Sequence, residues 1–411
     1  MTDIASQAPV TFKAIDGGIT APRGFRAAGV ACGIKASGAL DMSLLVSDSP
    51  ASAAGVFTTN LAKAAPVLLS REHLVQSGGR GRAIVINSGC ANACTGSDGR
   101  DHARLMAELT AQAVNCDTSS VLVASTGVIG VKLKMDSVER GIADAAAKLS
   151  ADSGPAAARA IMTTDPFPKE SAIEALAGDR TFRVGGMAKG SGMIEPLMAT
   201  MLGVVTTDAA VAPALLQRAL KAAVDDTFNA ITVDGECSTN DCVFVLANGA
   251  SGVELTENDW PVLVAALKAA CEPLAIGIVR GGEGATKLVT VRVTGAESDA
   301  DARRAARAIA NSPLVKTAIH GGDPNWGRLI AVAGRAGTAF SLEKAAVRIG
   351  PITLFADGTP YDERAPQAAA YLQGHEIDVE VNLGTGGRGE SQMWTCDLSA
   401  EYVRINADYR T

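Results

Sequence analysis

The sequence predicts a layered α+β or α/β sandwich, and three observations carry that reading. Strand-like apolar runs and periodic helical stretches are interleaved without strict alternation. Several strands also adjoin as hairpin-like pairs, which argues against a clean doubly wound sheet. Aromatic residues are only 4% of the chain, beside 43 glycines and abundant alanine. A core poor in rings and rich in Ala and Val suits closely packed layers of helix and sheet.

The strand-like runs, in order, are Ala83–Asn87, Val121–Ser125, Met201–Thr206, Asn229–Val233, Val243–Ala247 and Leu288–Val293. The last alternates as Val289-Thr-Val-Arg-Val293, the pattern of a half-exposed strand. Between them lie five helical stretches. Asp101–Val114 follows a Gly/Asp/Ser turn, and Val138–Leu149 follows the capping pair Asp136-Ser137. Ala209–Asp225 is Ala-rich and periodic. Thr256–Cys271 opens with Thr256, Asp259 and Pro261, and Ser298–Ala310 opens with Ser298 and Asp301 and stops before Pro313. No internal repeat or low-complexity tract interrupts the chain.

The chain has 411 residues, 47% hydrophobic and 20% charged, which is ample for a buried core. Length predicts two or three domains of ~150 residues each, with an internal boundary near Asp234–Asp241. The net charge is -7 and no Lys/Arg run stands out, so no nucleic-acid partner is expected. No apolar stretch approaches the ~20 residues that span a bilayer, and the N-terminus lacks a basic region followed by an apolar core. A soluble cytoplasmic protein with no membrane partner is the expectation. The eight cysteines read as free thiols. No pair has Cys-x-x-Cys spacing and no His-x-x-x-His accompanies them, so no metal site is expected.

The segment richest in chemistry is Met187-Ala-Lys-Gly-Ser-Gly-Met-Ile-Glu-Pro-Leu-Met-Ala-Thr-Met-Leu202. A Gly/Ser turn leads through Pro196 to Ala199, Thr200 and an apolar strand. A Thr hydroxyl is a poor nucleophile unless a base takes its proton. Cleavage of the Ala199–Thr200 peptide would give Thr200 a free α-amine, whose reference pKa of ~7.7–8.0 suits a base at neutral pH. That arrangement needs no histidine. The four present, His73, His102, His320 and His375, have no Gly-x-Ser-x-Gly elbow near them. Read alone, an Ala-Thr pair such as this is ordinarily just a strand residue after a loop, and it is the wider resemblance that singles out Thr200.

The string Lys189–Leu202 resembles the self-cleavage motif of the ornithine acetyltransferases, the bifunctional glutamate N-acetyltransferases of arginine biosynthesis. The resemblance spans nearly the whole chain. It takes in Gly18–Phe25, Gly55–Asn60, Asn87–Gly96, Ser125–Gly130, Met162–Pro166, Gly282–Lys287, His320–Arg328 and Tyr402–Thr411, in that order.

What the resemblance implies is an αββα sandwich, cut before Thr200 into an alpha chain (1–199) and a beta chain (200–411) that interleave in one catalytic unit. It implies ping-pong transfer of acetyl from N-acetyl-L-ornithine to L-glutamate through an acetyl-Thr200 intermediate. No cofactor is implied, with acetyl-CoA a further candidate donor, and the assembly would be a heterotetramer of two chains of each kind. Thr126 and Gly127 would form the oxyanion hole. Thr163, Lys189, Thr200, Glu283, Asn406 and Thr411 would contact substrate. Lys189 can hold an amino-acid carboxylate, and Glu283, flanked by glycines, can pair with the ornithine ammonium. The nearby acids Glu195, Asp208 and Asp234 receive no catalytic role, because the Thr amine already supplies a base.

Two stretches depart from the family pattern. Cys90 stands where Asn is expected, and Glu236-Cys237 stands where Asp-Thr is expected. Two other readings stay open on the sequence. One is an amidase or aminopeptidase with the same self-exposed threonine, in which water resolves the acyl-enzyme. The other is a non-catalytic amino-acid-binding protein that keeps its chain whole.

Overall fold

The structure, a computed structural model, describes residues 10–177, 179–195 and 201–408. Among these residues, the strands in chain order are β1 (Thr11–Ala14), β2 (Phe25–Val30), β3 (Met42–Phe57), β4 (Arg80–Cys90), β5 (Val121–Val128), β6 (Lys169–Ala177), β7 (Arg180–Lys189), β8 (Leu202–Thr207), β9 (Ala210–Val211), β10 (Cys242–Ala247), β11 (Glu254–Leu255), β12 (Leu288–Ala296), β13 (Ala346–Ile349), β14 (Ile352–Ala356), β15 (Thr359–Pro360), β16 (Glu376–Asn382) and β17 (Gly389–Cys396). The α-helices are α1 (Ala65–Gln76), α2 (Gly96–Val114), α3 (Met135–Ala147), α4 (Gly154–Ala160), α5 (Pro213–Asp225), α6 (Trp260–Arg280), α7 (Asp299–Ala310), α8 (Pro313–Gly321), α9 (Trp326–Gly334), α10 (Ala365–Tyr371) and α11 (Ala400–Asp408).

The described strands form a nine-stranded sheet, ordered β1-β6-β7-β8-β10-β3-β4-β5 with β2 also on β3, a six-stranded sheet, ordered β15-β14-β13-β16-β12-β17, and a two-stranded parallel pair, β9 and β11. The long strand β3 bends the large sheet on itself. Its first half, Met42–Ser47, pairs with β2 and β4, while Ser52–Phe57 pairs with β10. The register shifts between Val46 and Ala51, where Asp48-Ser-Pro50 interrupts the apolar run. Proline cannot donate to a ladder, and a bulge bends the strand that carries it.

Alternation along each strand then sorts the side chains between layers. Ala83, Val85, Val121 and Val123 face α2 and α3. Val243, Val245 and Ala247 face α5 and α6. The intervening Ile84, Ile86, Leu122, Leu202, Val204, Phe244 and Leu246 share one inner cluster. Strands β4 and β5 stand far from β7 and β8 in the sheet order, so they can share that cluster only because the sheet folds over. The result is the αββα sandwich that the family resemblance implies. The six-stranded sheet has its own core with α7, α8 and α9, built from Val289, Val291, Val293, Ile309 and their neighbours.

Two sequence expectations are corrected. Asn229–Val233 is no strand: Phe228–Ala230 is a 3-10 turn and Ile231 makes a single bridge to Trp394. Its polar groups have irregular partners instead, with the Val233 N–H and the Thr232 hydroxyl both donating to the Ile194 carbonyl. The helical segment Glu257–Arg280 is long and apolar enough to cross a membrane by length and composition, where no such stretch was expected. Lys268, Glu272 and Pro273 break its apolar run in sequence. Its stripe of Val262, Leu263, Ala266, Leu267, Ala270, Leu274 and Ile278 is buried in the core of the large sheet.

Candidate active site

A cavity of about 130 Å³ is walled by the ends of β5 and β7, the loops that follow them and the helix α11. At the end of β5 the parallel register with β4 slips, so that Cys90 faces both Thr126 and Val128. Gly127, at φ +128°, fills the slip. A Cβ there would lie 2.4 Å from the Gly89 carbonyl carbon, so only glycine fits. The Asn240 amide braces this end by donating to the carbonyls of Ser125 (2.8 Å) and Ala91 (2.6 Å).

Lys189 is the last residue of β7, and its Nζ donates to Thr126 Oγ1 at 3.0 Å. The side chain is only 3% exposed. Burial pushes its ammonium below the ordinary lysine range, an effect that the Asp165 carboxylate opposes. Asp165 organises this wall. Its Oδ1 accepts from Lys169 Nζ (2.6 Å) and the Gly190 N–H (2.7 Å), and its Oδ2 accepts from the Thr163 N–H (2.9 Å). Burial alone would raise the Asp165 carboxyl. The Lys189 and Lys169 charges and the Gly190 N–H hold it below the usual carboxylate range.

Another part of the lining is acidic. Glu283, in the turn after α6, accepts from Thr164 Oγ1 (2.8 Å) and from Asn406 Nδ2 on α11 (2.9 Å). Gly192 lets it approach, since a Cβ there would meet Glu283 Oε2 at 2.3 Å. Asp234 accepts the N–H groups of Met193 (2.7 Å) and Ile194 (2.8 Å) and the Tyr402 hydroxyl (3.2 Å). Those bonds hold Met193 at φ +59°, a conformation that a side chain disfavours. Burial raises the Asp234 carboxyl, and its N–H donors offset part of that rise. The next acid, Glu195, accepts from Asn311 Nδ2 (2.8 Å) and lies 3.6 Å from Arg307.

Thr126, Gly127, Thr163, Lys189, Glu283 and Asn406 therefore all line one cavity. Ala199, Thr200 and Thr411 lie outside the described residues. The described chain resumes at Met201, and the next residue, Leu202, is in register with Lys189. Sequence reasoning missed Thr164, Asp165 and Tyr402 and gave Asp234 no role. Thr164 and Asp165 sit inside the quoted Met162–Pro166 string and Tyr402 opens the quoted C-terminal string, so the signal was present without an assignment. The chemistry on offer is a hydroxyl and a backbone N–H at one turn for a developing oxyanion, a cation beside them, and a carboxylate in the same cavity for an ammonium group.

The departures from the family pattern leave local bonding satisfied. The Cys90 carbonyl accepts from Asn87 Nδ2 (2.9 Å), and its thiol donates to the Val131 carbonyl (3.2 Å). Burial raises the thiols of Cys90 and Cys237, the opposite of what an activated thiolate needs. All eight cysteines are unpaired. Among the described residues no group of three or more His, Cys, Asp or Glu is placed to hold a metal ion.

Comparison with known proteins shows the family. The profile of the ArgJ family matches residues 26–411. The arginine biosynthesis bifunctional protein ArgJ of a Synechococcus strain is 52% identical, over 97% of this chain and 99% of that protein. The protein of the same name from Symbiobacterium thermophilum is 50% identical, over 96% and 99%. A crystal structure of the Bacillus halodurans ArgJ protein is 46% identical, with a TM-score of 0.49, and the match covers 50% of this chain and 98% of that one. The relatives and the family match define an acyltransferase of arginine biosynthesis. The chain belongs to the ArgJ family.

Proposed function

We propose that the chain cuts itself before Thr200 and then carries acetyl on the Thr200 hydroxyl, moving it from N-acetylornithine to glutamate in a ping-pong reaction. The observation that carries this reading is the convergence of Thr126, Gly127, Thr163, Lys189, Glu283 and Asn406 on one cavity beside the start of β8. In the first half-reaction Thr200 Oγ attacks the acetyl carbonyl, and its terminal amine takes the hydroxyl proton. The Thr126 hydroxyl and the Gly127 N–H meet the charge that develops on the carbonyl oxygen. Lys189 holds the α-carboxylate and Glu283 the side-chain ammonium of ornithine. Asn406 and Thr163 support the substrate from either wall, and Thr411 completes the C-terminal side. Ornithine leaves, glutamate enters, and its amine takes the acetyl group. The relatives' name, bifunctional, supports a second donor, for which we propose acetyl-CoA.

The sheet order supports a cut enzyme that stays whole. Strands β8 and β10 lie between β7 and β3, so residues on either side of position 200 belong to one sheet and a single cut leaves its ladders intact. The two pieces would pair again as a heterotetramer.

Mass spectrometry of the purified protein tests the reading. Two near-equal pieces are expected, the second beginning with threonine, and Thr200→Ala should stay uncut. Incubation with N-acetylornithine and glutamate should yield equal amounts of ornithine and N-acetylglutamate. Stoichiometric free acetate would point instead to an amidase.

A further inference from the structure

We infer that Tyr402 is a latch that closes α11 over the cavity and so determines whether the acyl group passes to an amine or to water. This rests on the reading that Thr200 carries acetyl. The resemblance gives Tyr402 no role.

None of the nine residues of α11 is fully buried, and Val403 on its outer face is 65% exposed. A helix this short has little stability of its own. Its base is fixed, because Ser399 Oγ donates to the Gly284 carbonyl at 2.6 Å. Beyond that base two side chains one turn apart, Tyr402 and Asn406, point to the cavity. Asn406 reaches Glu283, a carboxylate proposed to bind substrate, so its bond must change partners in each cycle. Tyr402 reaches Asp234 at 3.2 Å, and Asp234 is fixed independently by the N–H groups of Met193 and Ile194. The Tyr402–Asp234 bond can therefore break and re-form on a fixed acceptor, independently of the exchange of partners at Glu283.

Such an element opens more readily than the strands beneath it, as exposed helices held by few contacts do. Opening admits substrate, and closure excludes water. The exclusion matters because the acetyl-threonine ester has two possible fates. Attack by the glutamate α-amine breaks the acyl–oxygen bond and gives N-acetylglutamate. Attack by water breaks the same bond and gives acetate. In both, the attacking group loses a proton through the Thr200 terminal amine, and the Thr200 oxygen regains one. Closure favours the first.

The test uses the full-length chain, its processing checked by mass spectrometry. Wild type, Tyr402→Phe and the outer-face control Val403→Ser are given N-acetylornithine and glutamate, and acetate and N-acetylglutamate are quantified together. Tyr402→Phe should process normally and raise the acetate-to-N-acetylglutamate ratio about tenfold, the scale of losing one hydrogen bond to a charged group. Its α11 amides should also exchange hydrogen faster, and Val403→Ser should match wild type in both respects. An unchanged ratio in Tyr402→Phe, or an equal shift in Val403→Ser, overturns the latch. A wild-type protein that never becomes acetylated fails on the separate question of the acyl-threonine.

Discussion

At the Lys189 wall of the cavity the charged groups are buried and answered, whereas the α11 wall hangs on side-chain contacts near the surface. Asp165, Lys169 and Lys189 are each 7% exposed or less; Asp165 accepts from Lys169 and the Gly190 N–H, and Lys189 donates to the Thr126 hydroxyl. Tyr402 is half-buried, and its helix has no residue in the core. The difference follows from what each wall must do. Groups that stabilise a developing charge work best when they need no rearrangement at the moment of reaction. A site that releases one amino acid and admits another needs a wall that moves.

Five experiments can break or sharpen that comparison. The largest effect is expected at the mobile wall. Removing Ile405–Thr411 should abolish acetyl transfer while shifting the thermal midpoint little, since Ile405–Asp408 belong to none of the core clusters; a large loss of stability would show that α11 is structural after all. Next, Thr126→Val removes an oxyanion donor and should lower kcat by ~10²–10³-fold with little change in KM, as steady-state kinetics would show. Third, Asp165→Asn breaks a buried ion pair and should destabilise the fold by about 3–5 kcal/mol. Denaturant unfolding reads this, and a loss under about 1 kcal/mol, the usual worth of an exposed pair, would contradict the rigid-wall account.

The smallest effects are in pH. Because burial lowers Lys189, its charge is lost as pH rises before the ordinary lysine range is reached. KM for substrate should therefore climb on the alkaline side earlier than a surface lysine would cause. Asp165 has the opposite sign. Its folded carboxyl sits below the unfolded value, so its stabilising contribution is complete above the ordinary carboxylate pKa and disappears as pH falls through the folded one. Acid unfolding of wild type beside Asp165→Asn measures that limb.

Much of this was legible in the sequence, and what was not has physical reasons. The helices α2, α3, α5, α6 and α7 announced themselves by periodicity and entry residues. Strand β3 did not, because Asp48-Ser-Pro50 looks like a turn and is the bend that folds the sheet. The hairpin β6–β7 carries Glu and Arg on its open face and shows no long apolar run. Helix α11 lacks an apolar stripe because it packs on the cavity rim through polar groups. At the site, Lys189 and Thr126 could be singled out by motif. The bond between Tyr402 and Asp234 spans 168 positions and is made only by the fold. Asp165 looked like one loop acid among many, since nothing local indicates that Lys169, Lys189 and the Gly190 N–H meet around it.

The central claim is most directly tested by intact-mass analysis of the purified chain after exposure to N-acetylornithine alone. The account predicts two pieces, with one acetyl group added to the piece that begins at Thr200 and removed when glutamate is supplied. An uncut chain that turns over at full rate, or acetyl found on any other residue, would contradict it.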